Sequence, residues 1–173
     1  MNELLTPTPG KIWLLHTPPR EAMLSLVAQM ALIGPLLVLD AANEFDAYRV
    51  ARLIRGRTRQ PAQALDHVQV ARVFTCHQVV ALLRDLPVST TPHVIFDLPA
   101  TFCDENVPLA ESRRLLGIAL QHIERLRRDA PLIISVRPSP AGRRAELLQA
   151  VIDCADHLFA WDSPAAPAPE RLF

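Results

Sequence analysis

Six short runs dense in branched aliphatic residues, separated by longer stretches whose apolar residues recur with helical period, constrain this chain more than any other feature. The runs are 11–16 (KIWLLH), 35–40 (PLLVLD), 67–72 (HVQVAR), 93–98 (HVIFDL), 131–136 (PLIISV) and 157–161 (HLFAW). Near-continuous apolar runs mark strands buried on both faces, as in a parallel sheet packed between helices. Helix candidates at 19–32, 45–56, 76–86, 108–128 and 142–155 fall between them. Six strands and five helices in strict alternation predict an α/β fold: three layers, with a mainly parallel six-stranded sheet and helices on both faces.

With 173 residues, half of them apolar, the chain is long enough for one well-buried domain. The folded part is expected over 1–161. The segment 162–173, DSPAAPAPERLF, is rich in proline and alanine and is expected to be an extended tail. Eighteen basic and eighteen acidic residues cancel, so a polyanion site would have to come from local clustering. Cys76, Cys103 and Cys154 are few, odd in number and widely spaced, unlike a disulfide framework. The opening MNELLTPTPG lacks a signal-peptide pattern, and the apolar stretches are too short to span a bilayer. A cytoplasmic protein without membrane contact is expected.

Local signals support the helices. Pro108 suits a first helical turn, with Asp104 to Asn106 as cap candidates and Glu111 placed to favour the helix dipole. Over 108–128, Leu109, Leu116, Ala119, Leu120, Ile123 and Leu126 form one apolar stripe, as in a helix that covers a sheet. His67 and His93, both opening strands, read as structural histidines. No second pair stands at metal-ligand spacing beside Cys154-x-x-His157 or Cys76-His77, so zinc is not expected.

Three ordered segments resemble the ATPase core of the RecA/RadA recombinase family, the archaeal and eukaryotic branch in particular. VLDAANEFDAYRV at 38–50 is similar to that branch's second strand exit, with Asp40, Phe45 and Arg49 in register. HVQVARVFTCHQVVALL at 67–83 repeats the family's order of strand, Ala-Arg, aromatic, Thr, His-Gln and leucine-rich helix. HVIFDLPATF at 93–102 resembles the Walker B strand, with Asp97 in the place of the magnesium-site aspartate. The resemblance runs over roughly residues 10 to 161 and implies a RecA-like core.

The departures fall on the chemistry. A phosphate loop of the form G-x-x-x-x-G-K-[ST] needs glycine amides, a lysine and a hydroxyl. The equivalent turn reads HTPPREAM, in which Pro18 and Pro19 have no amide hydrogen and no lysine is present. The family's catalytic glutamate falls on Ala42, with Glu44 two residues away. The resemblance then implies a vestigial nucleotide site, of which Arg20 and Asp97 are what is left. No catalytic residue, no metal and no cofactor is assigned, ATP with magnesium being the alternative rather than the expectation.

By the same resemblance, the loops after the fourth and fifth strands would face single-stranded DNA. The first, PATFCDENV, is acidic; the second, RPSPAGRR at 137–144, offers Arg137, Arg143 and Arg144 as candidate phosphate contacts. A second basic cluster, RLIRGRTRQ at 52–60, closes a helix and reads first as a complement to its dipole; neither cluster has aromatic residues interleaved. The end of the tail, Leu172-Phe173, resembles the apolar end of peptides that dock on the bacterial sliding clamp, without their usual glutamine. The expected function is that of a non-catalytic RecA/RadA-like protein of DNA recombination or repair, contacting DNA or an active partner protein. The alternatives are an ATP-binding or ATP-hydrolysing enzyme with an atypical loop, and a pure protein–protein interaction module.

Overall fold

The computed structural model describes residues 7–139 and 144–161. In order, the elements are β1 (Ile12–His16), α1 (Arg20–Ile33), β2 (Leu36–Asp40), α2 (Ala47–Arg55), α3 (Pro61–Asp66) and β3 (Val68–Arg72). They continue with α4 (Cys76–Asp85), β4 (His93–Phe96), a 3-10 turn (Ala100–Cys103), α5 (Leu109–Arg127), β5 (Leu132–Val136), α6 (Ala145–Asp153) and β6 (His157–Ala160). The six strands form one all-parallel sheet in the order β3-β2-β4-β5-β1-β6. The expected α/β class is what the chain adopts, with one change to the strict alternation. Two helices separate β2 from β3, because Pro61 supplies a favourable first turn for a short helix that the sequence pattern did not mark.

Register explains why the strands read as continuous apolar runs. Leu39, Ile95, Ile134 and Leu14 line up across β2, β4, β5 and β1 and belong to one core. Val38, Val94 and Ile133 line up one residue earlier and belong to the other. Each central strand therefore buries alternate residues in opposite layers, and no polar face is left. The first core takes Cys76, Val79 and Leu83 from α4, the α5 stripe, and Leu147 and Val151 from α6. The second takes Met23, Leu24 and Val27 from α1, Val50 and Ile54 from α2 and Ala64 from α3. Within α5 the buried set is Ser112, Leu115, Leu116, Ala119, Ile123 and Leu126, so the stripe is centred slightly away from Leu109 and Leu120.

The helix starts follow short polar side chains where these exist. Asp46 accepts from the Arg49 amide to cap α2, and Thr75 accepts from the Gln78 amide to cap α4. Gln78 Oε1 in turn accepts from the Phe74 amide, tying down the residue before the cap. Helix α5 begins after Pro108 without a side-chain cap; Asp104 instead accepts from the Asn106 amide within the preceding turn. His67 holds the carbonyl of Ala31 at 2.8 Å, as a structural histidine would. His93 differs: it is buried, its Nδ1 has no hydrogen-bond partner among the described residues, and burial pushes its pKa down against the opposing effect of the Thr91 backbone. No helix among the described residues is long and apolar enough to cross a membrane.

Candidate functional site: the crevice at the strand ends

The connections leaving β1 and β2 run over one face of the sheet, and those leaving β3, β4 and β5 run over the other. Among the neighbouring strands whose connections part in this way are β5 with β1 and β2 with β4, and beyond their carboxyl ends opens a crevice of the kind in which open α/β sheets take ligands. The loops that follow these four strands carry Pro18, Arg20, Glu44, Asp97 and Arg137 into one cluster.

Arg137 is its hub. One end of its guanidinium pairs with the Glu44 carboxylate, and Nη2 donates to the Pro18 carbonyl at 2.9 Å. Its backbone amide donates to Asp97 Oδ1 at 3.0 Å. Arg20 reaches the same loop from the start of α1, donating through Nε to the Glu44 carbonyl at 2.6 Å and facing Asp46 at 3.8 Å. The crevice is thus spanned by protein ion pairs and hydrogen bonds linking the loops after β1, β2, β4 and β5.

Beneath this layer lies Asp40, fully buried at the end of β2. Its carboxylate accepts from the amides of Glu44 and Phe45 and from Arg72 Nε at 3.0 Å. Arg72 occupies the paired position on β3, and its Nη2 also holds the Phe45 carbonyl. Four hydrogen bonds therefore set the shape of the turn that presents Glu44, and removal of either charge would leave the other underpaired.

Three residues of this edge adopt positive φ: Thr17 at 52°, Asn43 at 57° and Asp97 at 42°. A β-branched residue in this region is unusual, and here it is held from both sides. The Thr17 amide donates to Val136 O and its hydroxyl to Trp161 O. The Asp97 amide is held by Ser135 Oγ at 2.9 Å. Unfavourable backbone persists where surrounding bonds over-determine it, as in this cluster.

A cleft of about 320 Å³ opens beside the cluster, bordered by Asp97, Cys103, Asp104, Arg137 and the start of the following loop. Burial pushes the Asp97 carboxyl up to about 6; the hydrogen bond from the Arg137 amide works against this, the nearby Glu44 charge adds to it, and the Arg137 charge lowers it. Burial also raises the Cys103 thiol, with the Asp97 charge adding to the shift, so a resting thiolate is disfavoured. No group of three or more metal-ligating side chains occurs among the described residues.

The residues singled out in the sequence thus have different fates. Asp97, Arg137 and Arg20 come together around Glu44. Arg144 does not join them: its guanidinium turns into the protein, bonding Phe102 O, Ser112 Oγ and Val107 O at 2.6–2.9 Å. Arg143, Leu172 and Phe173 lie outside the described residues. Glu44 stands two residues from the family's position and has no role in the sequence pattern, and nothing in that pattern pairs Asp40 with Arg72. The alignment of Asp40 with Arg72 at matching strand ends was the available clue, legible once β2 and β3 are known to be neighbours.

A comparison of the chain with models of known protein families finds none that matches, and a search among curated proteins also finds no match.

Proposed function

We propose that this protein is a non-catalytic RecA/RadA-like scaffold that acts in DNA recombination or repair through DNA or an active partner protein. The observation carrying this reading is the placement of Arg137, which occupies the mouth of the strand-end crevice while bonded to Glu44 and to the Pro18 carbonyl. A nucleotide's phosphates need a ring of inward amide hydrogens and a free cation. Here the turn before α1 presents a carbonyl, two prolines lack the amide, and Glu21 places an acid in the first helical turn. Both nearby cations, Arg20 and Arg137, already have protein partners.

The test is a thermal-shift titration with ATP and magnesium beside a magnesium-free control. No change in melting temperature at millimolar nucleotide is expected. A saturable, magnesium-dependent rise would replace this reading with that of an atypical ATP-binding enzyme.

A further inference from the structure

The outer face of α2 carries a second feature. Between positions 47 and 65 the chain has five arginines and no acidic residue, in a protein whose total charge is zero. Arg49 pairs with Glu21, and Arg57 is held by the carbonyl and hydroxyl of Ser25. Arg52, Arg55 and Arg59 are exposed, and their side chains make no hydrogen bond or ion pair among the described residues.

Tyr48 shares their surface. It is 69% exposed and makes no ring contact among the described residues. Positions 48, 52 and 55 follow the i, i+4, i+7 spacing of one helix face, opposite the buried Val50 and Ile54. From Tyr48 to Arg55 this stripe runs on the order of 10 Å, and the chain then leads to Arg59. Beside Arg59, Thr58 and Gln60 join Gln63 and His67 around a cleft of about 150 Å³ with hydrogen-bonding side chains at its rim.

Complementing the dipole of α2 needs only one cation in the last turn, whereas unpaired like charges three residues apart repel. An exposed aromatic ring on the same face has no part in either effect. Cations along a line with a free ring at one end match a flexible polyanion whose units each have a π-face. We propose that this face, from Tyr48 through Arg52 and Arg55 to Arg59, binds single-stranded nucleic acid, with the arginines on backbone phosphates and Tyr48 against a base. The inference goes beyond the crevice reading and does not depend on it, since a chain that bound ATP could carry the same surface.

Fluorescence anisotropy of the full chain with a labelled oligothymidylate of about 20 nucleotides, over a salt series, tests it. Wild type should bind with an affinity that falls as salt rises. R52A/R55A/R59A should lose at least about tenfold and flatten the log–log salt slope by about 2, from roughly 0.7 per phosphate contact. R52K/R55K/R59K should keep most of the binding. Tyr48→Ala should weaken it about tenfold with little change in slope, and Tyr48→Phe should restore it. All four positions are exposed, and circular dichroism verifies that the variants fold. Absence of binding at low salt, or an unchanged affinity in the triple alanine variant, would overturn the proposal. So would equal affinity for a duplex together with indifference to Tyr48→Ala, or a preference for an acidic polypeptide over the oligonucleotide.

Discussion

Asp97 is the residue on which the sequence reading and the structure meet most directly. It follows a buried strand, and its carboxylate bonds the Arg137 amide at the edge of a cleft. An aspartate titrating near 3.8 in the unfolded chain and at about 6 in the folded one binds more protons when folded between those values. Its contribution to stability is therefore greatest below about pH 4 and declines as pH rises through 6. Asp97→Asn keeps an acceptor for Arg137 and removes the charge. Relative to wild type, the variant should gain about 2 kcal/mol between pH 4 and pH 7, after allowance for partial exposure. Urea unfolding across that range measures the difference, and parallel curves would contradict it. Glu44 was harder to read, because its role comes from a loop held by the buried Asp40 and not from its place in a motif.

The segment around the 3-10 turn shows how elements depend on single side chains. Arg144 stands at the start of α6 with φ of 56°, and its guanidinium ties the 3-10 turn and the approach to α5 together. Basic residues in a proline- and glycine-containing loop read as candidates for phosphate contact, but one-dimensional spacing carries no information about unsatisfied carbonyls nearby. Arg144→Ala should cost about 2–3 kcal/mol in chemical denaturation, through loss of charge-assisted bonds to groups that remain partly buried. Arg144→Gly should cost about 1 kcal/mol less than alanine, because glycine tolerates the left-handed backbone. Equal stabilities for the two variants would contradict the backbone contribution, and an alanine variant as stable as wild type the bonding one. The helices were legible to within a few residues because their apolar stripes are long. Helix α3, six residues with one buried alanine, has too short a period to announce itself.

At the scale of the whole molecule, stability should follow depth in the sheet. Strands β4 and β5 are buried along their full length, whereas β6 at the sheet edge is exposed at all four positions. Hydrogen exchange should therefore be slowest in β4 and β5 and fastest among the strands in β6. A β6 as protected as the central pair would mean that the edge is covered in solution. Leu158 and Phe159 are the large exposed apolar residues there, on a strand whose inner neighbour supplies Trp13 to stack on Phe159 with ring centroids 5.6 Å apart.

Local sequence pattern was enough to specify the fold class, the six strands and the five longer helices, because burial on both faces or on one stripe leaves a period that survives in one dimension. It also showed that the turn after β1 lacks the amides and the lysine that a phosphate loop needs, since proline and glycine act on their own backbone. Strand order was beyond its reach, and with it the meeting of Arg137, Glu44 and Pro18, the pairing of Asp40 with Arg72, and the inward turn of Arg144. Those contacts join residues far apart in the chain, and their energies depend on distance and desolvation that exist only once the sheet has assembled. The stripe of Tyr48, Arg52 and Arg55 lies between these cases: its spacing was written in the chain, but its exposure and lack of partners came from how α2 packs.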